Sequence, residues 1–370
     1  MAGRYPHPVD NGRPRRLGVA AAVVDGEVVA GDVAVDGDLI AEVGLSPAGT
    51  GLAHPGLVDL QVNGYAGSDF RTAAPGALVV AAEELAAGGA TAFQPTLHSA
   101  AVPTYCDALR RIDEARRSTV DLRDAGGPAG ARILGAHLEG PFLAARWAGA
   151  HDPALLMPVD LAVATQLLDA GLVAMMTLAP ELDGAVSLIE MLGLRSVTAA
   201  IGHSDADAAT VRNAIDCGAT HLTHCWNAHR RLGARDPGPA GVALSDQRTT
   251  IGLIADLVHV APEVVRLTFA AAPGRIAVTT DAVAGAARAG ESDEVLLGGA
   301  SSPVEILGRL RSLGFGWDVT SSACSGVPAR LAGLSERLLQ PGTVADIVVL
   351  DDRLDVVRVV VAGTEVARGA

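Results

Sequence analysis

Short apolar runs alternate with longer Ala/Leu-rich amphipathic stretches through the middle of the chain. Strands that alternate with helices predict parallel βαβ units. Eight such runs predict an α/β protein built on a closed (β/α)8 TIM-type barrel, in which each of eight strands is followed by a helix. An open doubly wound sheet is the alternative, but no G-x-G-x-x-G follows the first run. The predicted strands are Leu57–Val62, Ala90–Pro95, Arg132–His137, Leu172–Leu178, Val197–Ile201, Ala219–Thr223, Thr250–Ala255 and Arg275–Thr280.

Both ends of the chain have a different rhythm, with short alternating segments separated by turn signals. Asp25-Gly26 and Asp36-Gly37 lie between β-rich stretches, which is typical of tight hairpins. Near the other end, Ala345–Leu350 and Val356–Val361 follow the same pattern. The two ends are therefore predicted to pack together as one small β domain.

The pattern divides the chain into two domains. Residues 1–54 and 336–370 are predicted to form a small β-sandwich, and residues 55–335 the barrel. The apolar run Leu17–Val24 is predicted to be a strand of the sandwich rather than part of a signal peptide, because it stops at Asp25-Gly26 without a convincing cleavage site. No stretch approaches the roughly 20 apolar residues of a membrane span. We therefore expect a cytoplasmic protein with no membrane partner.

Composition excludes several kinds of chemistry. The chain contains no lysine, so all 28 basic residues are arginine. A P-loop, a Schiff base and a lysine carbamate bridging two metals are therefore excluded. The 42 acidic residues give a formal net charge of −14, which argues against nucleic acid or an anionic membrane as a partner. The four cysteines contain no C-x-x-C pair, which is typical of reduced thiols.

Most histidines of the chain fall at the ends of the predicted barrel strands, where TIM barrels place their active sites. Three His, Glu or Asp ligands with one open position make a catalytic metal site. Glu139, His203 and His224 follow runs three, five and six, and predict such a site. The polar residues that end the runs are Gln61, Asn63, His98, His137, Glu139, Glu181, His203, His221, His224, Asp256, His259 and Asp281.

Each of these residues also has a structural interpretation. Glu139 could cap a helix or form a salt bridge, His203 could cap the next helix, and His224 could be a satisfied core histidine. Asp281 follows the last run. It could take a proton from a water molecule beside a metal and later deliver it to a leaving amine, or it could be the N-cap of a helix beginning at Ala282.

Two further features are open to more than one interpretation. A positive patch of His229, Arg230, Arg231 and Arg235 follows run six and could bind an anionic substrate group, or be a solvated loop. The segment Gly202–Ala206 weakly imitates the G-x-S-x-G nucleophile elbow of serine hydrolases, but its last glycine is missing.

An ordered set of motifs carries a family resemblance. The chain resembles the N-acetylglucosamine-6-phosphate deacetylase family of the amidohydrolase superfamily over nearly its whole length. The motifs are PGLVDLQVNG (Pro55–Gly64), HLEGPF (His137–Phe142), TLAPE (Thr177–Glu181), GHSDA (Gly202–Ala206), THCWNA (Thr223–Ala228), TTDA (Thr279–Ala282) and a terminal VADIVVLD.

The resemblance implies a role for each site residue. Gln61 and Asn63 stand where most of the superfamily has His-x-His, which implies one divalent metal ion per subunit. Asp281 is implied to be the general base and acid, and His151 to help polarise the acetyl carbonyl. The implied metal ligands are Glu139, His203 and His224, and the implied substrate contacts are Gln61, Asn63, Asn227, Ala228, Arg235 and His259.

The resemblance also implies the reaction. We expect hydrolysis of the acetamide of N-acetylglucosamine 6-phosphate, a small amino-sugar phosphate, to glucosamine 6-phosphate and acetate. Zinc is the expected ion, with iron, cobalt or manganese as alternatives. A homodimer is expected, because the family completes its phosphate site across a dimer interface. The alternatives are the same chemistry on another N-acyl sugar, such as N-acetylgalactosamine 6-phosphate, and a barrel that binds sugar phosphates without catalysis.

The chain departs from the family pattern in three places. The usual NAM after run six is NAH here, with His229 in the third position. The usual NPAR is VPAR, with Val327 in the first position. The segment between Asp281 and Leu310 is shorter than in the family, which implies a change in the pocket that closes over the sugar.

Overall fold

The computed structural model describes residues 14–125, 127, 129–284, 298–335 and 338–368. Six short strands precede the barrel: β1 (Arg15–Arg16), β2 (Ala21–Val24), β3 (Glu27–Ala30), β4 (Asp32–Asp36), β5 (Leu39–Leu45) and β6 (Leu52–Pro55). The β2–β3 connection is the expected tight hairpin, with left-handed Asp25 (φ 47°) and Gly26 (φ 84°) at its tip. β1, β4 and β5 form one antiparallel sheet.

The central part of the chain forms the TIM-type barrel that the apolar runs predict. A parallel sheet runs from β7 through β10 to β17, and its ends meet where the Asn63 N–H donates to the Ala282 carbonyl oxygen at 2.7 Å. The strands of this region are β7 (Leu57–Val62), β8 (Gly64–Tyr65), β9 (Ser68–Asp69), β10 (Ala90–His98), β11 (Arg132–Ile133), β12 (Ala136–Glu139), β13 (Val173–Leu178), β14 (Thr198–Ile201), β15 (His221–Leu222), β16 (Thr250–Ile254) and β17 (Ile276–Thr279).

The connecting helices follow the strands. Proline in the first turn begins several of them, because its missing N–H would have no partner there. Ser302 and Glu305 form a reciprocal capping box at the start of α8. The helices are α1 (Pro75–Ala87), α2 (Val102–Asp124), α3 (Leu161–Asp169), α4 (Ala185–Leu194), α5 (Ala208–Asp216), α6 (Gly238–Ser245), α7 (Pro262–Ala271), α8 (Pro303–Ser312), α9 (Trp317–Ser321) and α10 (Val327–Leu331). No helix in the described part of the chain combines the length and apolar character needed to cross a membrane.

The two ends of the chain meet in a second sheet. β18 (Ile347–Leu350), β19 (Val356–Val361) and β20 (Thr364–Arg368) continue it, in the order β20-β19-β18-β6-β2-β3. A separate apolar cluster, including Val33, Ile40, Ile347 and Val360, fills the space between this sheet and the β1-β4-β5 sheet. The division into residues 1–54 with 336–370 and residues 55–335 stays a prediction, and residues 1–13, 336–337 and 369–370 lie outside the described part.

The predicted strand Leu17–Val24 is wrong in its first half. Only Ala21–Val24 is a strand, because Gly18 has a left-handed φ of 75°. The backbone N–H groups of Gly18 and Val19 donate instead to Asp32 Oδ1, at 2.9 and 3.0 Å. The buried Asp32 carboxylate thus accepts the hydrogen bonds that a neighbouring strand would otherwise accept from these two N–H groups.

The barrel strands differ from the predicted runs mainly in length. β10 continues three residues beyond Pro95 to His98, and the run Arg132–His137 is interrupted between β11 and β12. Apolar side chains including Val58, Leu60, Ala92 and Ala277 form a further cluster. Val327, which replaces the family's asparagine, belongs to it and is 2% exposed, so this departure adds apolar packing.

Candidate active site

Three side chains from neighbouring strands converge at the carboxyl edge of the barrel. Glu139 is the last residue of β12, and His203 and His224 each come two residues after β14 and β15. Glu139 Oε1 lies 3.0 Å from His203 Nε2 and 2.9 Å from His224 Nε2, and the two nitrogens are 3.1 Å apart. All three residues are buried. The structure therefore brings the three predicted metal ligands together.

The hydrogen bonds around this cluster fit a bound cation. His203 Nδ1 lies 2.8 Å from the Trp147 carbonyl oxygen, which can only accept, so Nδ1 carries the proton. In the neutral ring, Nε2 then presents a lone pair to a carboxylate oxygen, and two acceptors at 3.0 Å repel unless a positive charge lies between them. Ligand atoms around a tetrahedral zinc ion are separated by about 3.3 Å. The spacing of this cluster suits such an ion.

The charge of Glu139 is stabilised by its neighbours. Burial alone would raise the pKa of Glu139, but positive charge at the His203 and His224 nitrogens that face it holds the pKa well below the usual range. The Gln61 amide donates to Oε1 at 3.0 Å and adds to this effect. Glu139 is thus a carboxylate, the form that can bind a metal ion.

His151 lies beside the cluster, and the proton of its ring is on Nε2, the nitrogen that faces Glu139. The Ser99 N–H donates to His151 Nδ1 at 3.1 Å, so Nδ1 is an acceptor and Nε2 carries the proton. Burial lowers the pKa of His151 to about 3, which keeps the ring neutral. Nε2 lies 3.8 Å from Glu139 Oε2. Glu139, His151 and His203 also offer ligand atoms within 4.8 Å of one another, but a protonated Nε2 suits donation better than metal binding.

Asp281 lies two residues after β17, next to the Gln61 and Asn63 segment. The Asn63 amide donates to Asp281 Oδ1 at 2.8 Å. Burial and, secondarily, the charges of Glu139 and Asp59 raise the pKa of Asp281 well above its usual value, while Asn63 opposes the shift. No described helix begins at Ala282, so the N-cap interpretation finds no support in the described residues. A carboxyl with a raised pKa is suited to accept and return a proton.

The backbone at these positions is strained. His203 (φ 48°), His224 (φ 27°) and Asp281 (φ 51°) all lie in the left-handed region, which costs non-glycine residues roughly 1–3 kcal/mol each. Such conformations persist only where the surrounding structure imposes them. Each turns a side chain sharply inward just beyond a strand end.

The alternative interpretations of GHSDA do not match the structure. The cap of α5 is Asp207, whose side chain accepts from Thr210 N at 2.8 Å, and not His203. Ser204 Oγ donates to Glu181 Oε2 at 2.7 Å rather than to a histidine. No histidine side chain among the described residues is hydrogen-bonded to Ser204, so the arrangement gives no support to a serine hydrolase of the Ser–His type.

The predicted substrate contacts surround the cluster less closely. Asn227 and Ala228 lie in the loop after His224, and Arg235 is exposed further along that loop. His259 Nδ1 donates to Asp256 Oδ2 at 2.7 Å, which leaves Nε2 buried without a protein partner among the described residues. Asn63 Oδ1 is also buried and has no hydrogen-bond partner among the described residues. These two atoms are available to a ligand.

The loop after His224 carries less positive charge than its sequence indicates. His229 is buried and burial lowers its pKa to about 3, so it is neutral and does not belong to the positive patch. Arg230 is paired with Asp236 at 2.8 Å. The exposed charges of the loop are therefore Arg231 and Arg235. The shortened segment between Asp281 and Leu310 includes residues 285–297, which lie outside the described residues.

Sequence reasoning missed several residues that hold the site in place. Ser99 orients His151, and the Trp147 carbonyl orients His203. Asp59 accepts from the hydroxyl groups of Thr279 and Thr280, both at 2.5 Å. Ser99 follows β10 directly, so its position could have indicated a role. A backbone carbonyl leaves no signal in the sequence.

Comparison with known proteins identifies the family. No protein-family model matches the chain. An N-acetylglucosamine-6-phosphate deacetylase of Danio rerio is 34% identical over 348 residues, which cover 85% of this chain and 84% of the relative. An N-acetylgalactosamine-6-phosphate deacetylase of Escherichia coli O157:H7 is 33% identical over 335 residues, with 84% and 87% covered.

Solved structures agree. The N-acetyl-D-glucosamine-6-phosphate deacetylase of Mycobacterium smegmatis is 30% identical with a TM-score of 0.85, covering 95% of this chain and all of that one. A variant of it in complex with N-acetyl-D-glucosamine 6-phosphate has a TM-score of 0.86 at 29% identity, with 96% of this chain covered. With this barrel and this Glu–His–His cluster, the chain belongs to the N-acetylglucosamine-6-phosphate deacetylase family.

Proposed function

We propose that this protein hydrolyses the acetamide of N-acetylglucosamine 6-phosphate to glucosamine 6-phosphate and acetate. The observation that carries the proposal is the convergence of Glu139, His203 and His224 within 2.9–3.1 Å of one another beside Asp281. Family membership supports the substrate, because several relatives bear the name of this deacetylase.

Glu139, His203 and His224 hold one divalent ion in this proposal. Their nitrogen and carboxylate donors suit zinc first, with iron, cobalt or manganese as alternatives. When bound, such an ion supplies a Lewis acid that polarises an acyl carbonyl and makes water more acidic. Gln61 and Asn63 donate to the two site carboxylates and so orient Glu139 and Asp281.

Asp281 carries the proton transfers. Its carboxylate accepts a proton from water as the water oxygen attacks the acetamide carbon. The same proton then goes to the amide nitrogen as the C–N bond breaks, which releases the amine and acetic acid, and the acid loses its remaining proton to solvent to give acetate. The raised pKa of Asp281 suits both directions of transfer.

His151 stabilises the charge that develops on the acetyl oxygen. Ser99 holds the ring with its Nε2–H toward the cluster, and one preorganised donor of this kind is worth roughly 3–4 kcal/mol. Asn63 Oδ1 and His259 Nε2, both buried and unbonded within the described protein, are available to polar groups of the sugar phosphate.

Asn227, Ala228 and Arg235 complete the substrate contacts, largely to the phosphate. The guanidinium of Arg235 is exposed and suits a phosphate dianion. We propose a homodimer, as the resemblance to the deacetylase family implies. None of the four cysteines is disulfide-bonded, which supports a reducing, cytoplasmic location.

The test of the substrate is a comparison of kcat/KM for N-acetylglucosamine 6-phosphate, its galactosamine epimer and unphosphorylated N-acetylglucosamine. We expect the first to be turned over best and the unphosphorylated sugar to react at least about 100-fold more slowly, because one charged contact is worth roughly 3 kcal/mol. A preference for the galactosamine epimer would contradict the substrate assignment while leaving the reaction intact.

A further inference from the structure

Two buried imidazole nitrogens beside the Glu–His–His cluster have no protein partner among the described residues. They are His224 Nδ1 and His229 Nδ1. The rings are 5.7 Å apart between centroids, and the residues are 4% and 3% exposed. A buried polar atom without a hydrogen bond costs roughly 1–3 kcal/mol. Two such atoms on neighbouring rings therefore need an explanation.

The hydrogen-bonding state of His229 follows from its other nitrogen. Nε2 lies 2.8 Å from the Thr223 carbonyl oxygen, which can only accept, so Nε2 carries a proton. The residue is 3% exposed and its ring packs against that of His224, a surrounding that disfavours a charged imidazole, so the ring is neutral and has one proton. Nδ1 of His229 is therefore an acceptor.

The state of His224 follows from the proposed function, on which this inference rests. Nε2 of His224 faces Glu139 Oε1 and His203 Nε2 and would give its lone pair to the metal. A neutral imidazole that binds through Nε2 carries its proton on Nδ1. His224 Nδ1 is then a donor, and it is complementary to the acceptor on His229.

We propose that His229 is a positioning residue for His224, whose Nδ1–H it accepts through one ordered water molecule between the two rings. The water bridges one donor and one acceptor, and buried waters commonly satisfy such pairs. The contact fixes the tautomer and orientation of His224 and raises the basicity of its Nε2.

The other ligand histidine has the same arrangement without water. His203 Nδ1 donates directly to the Trp147 carbonyl oxygen at 2.8 Å. With His229 in this role, the Nδ1–H of each ligand histidine has a hydrogen-bond acceptor. Methionine, which the family pattern has at this position, offers only a weak acceptor.

The test is the affinity of the purified, metal-stripped chain for Zn²⁺, measured by competition with a chromophoric chelator. We expect His229→Met to weaken binding by about 10- to 100-fold, the usual effect of losing a hydrogen-bond partner of a ligand. His229→Gln keeps an acceptor oxygen and should restore most of the affinity. His221→Gln is the matched control, because it also removes a buried histidine whose Nδ1 already contacts Thr250 Oγ1 at 2.8 Å.

A crystal structure of the zinc-loaded wild-type protein is the second measurement, independent of whether the variants fold. It should show a water molecule within hydrogen-bond distance of both Nδ1 atoms. Unchanged zinc affinity in His229→Met, or a zinc-loaded structure without that water, would overturn the inference and leave the proposed function standing. If the wild-type chain bound no zinc at Glu139, His203 and His224, both would fail.

Discussion

At the scale of single residues, the hydrogen bond made by one ring nitrogen of a histidine determines whether the other nitrogen can bind a metal or donate a proton. The Trp147 carbonyl holds the proton of His203 on Nδ1 and frees Nε2 for a metal. In His151, the Ser99 N–H donates to Nδ1, so the proton of the ring lies on Nε2, which faces the Glu–His–His cluster. Two histidines a few ångströms apart thus become a ligand and a donor, and neighbouring backbone groups make the difference.

Replacing Asp281 tests the assignment of the proton carrier. Asp281→Asn keeps the size and polarity of the side chain but removes the base, so we expect kcat to fall by at least about 100-fold. Zinc content, measured by atomic emission, should not change. Near-normal turnover in this variant would contradict the role of Asp281.

Replacing Asn63 tests whether its hydrogen bond lowers the pKa of the Asp281 carboxyl. Asn63→Ala removes a hydrogen bond that lowers the pKa of Asp281. Because Asp281 must be deprotonated to act as a base, a higher pKa makes kcat/KM decline from a higher pH as the solution is acidified. We expect the acid limb of the pH profile to move to higher pH than in the wild type.

The control for this measurement is Asn213→Ala, an exposed position on α5. Its acid limb should coincide with that of the wild type. An unchanged limb in Asn63→Ala would mean that the Asn63–Asp281 contact does not set the pKa of the base.

At the scale of elements, side chains at strand ends tie neighbouring loops together. Glu181, in the loop after β13, accepts from Ser204 Oγ at 2.7 Å and from Asp205 N at 2.5 Å in the loop after β14. His203 directly precedes these two residues, so Glu181 holds the segment that turns His203 inward.

Glu181→Ala should therefore weaken zinc binding by about 10-fold or more, because the backbone after His203 loses its anchor. Glu181→Gln retains a carbonyl oxygen for Asp205 N and should keep most of the affinity. Equal zinc affinities for both variants and the wild type, measured by chelator competition, would contradict the positioning role.

Asp59 performs a similar task between the first and last barrel strands. Its buried carboxylate accepts from Gln61 N and from the hydroxyl groups of Thr279 and Thr280. Asp59→Ala leaves these donors without an acceptor, and each costs roughly 1–3 kcal/mol. We expect the free energy of unfolding in urea to fall by at least about 3 kcal/mol.

Asp160→Ala provides the comparison for Asp59→Ala. Asp160 caps α3 at an exposed position, so its loss should cost only about 1 kcal/mol. Equal losses in the two variants would show that the Asp59 network does not close the barrel.

At the scale of the whole molecule, hydrophobic patterning was sufficient to predict the barrel. The eight apolar runs match eight parallel strands, and β7 has the predicted bounds. Strand ends were less predictable: β15 has only two residues, His221 and Leu222. The number of residues that pair in a strand depends on the neighbouring strands, so the sequence of one apolar run does not show where its strand ends.

The site was predictable only in part, for a similar reason. Residue type and position at strand ends brought Glu139, His203 and His224 to attention, and the structure places them together. The tautomers of His203 and His151 depend on Trp147 and Ser99, which are 56 and 52 residues away in the chain. Contacts of that range arise only once the barrel has closed.

The decisive measurement for the proposed function is acetate release from N-acetylglucosamine 6-phosphate by purified, zinc-loaded protein. We expect rapid release that stops when zinc is removed by a chelator, returns when zinc is restored, and is nearly absent in Asp281→Asn. If zinc were bound and no acetate were released from this sugar or its galactosamine epimer, the assignment of the cluster to deacetylation would be wrong.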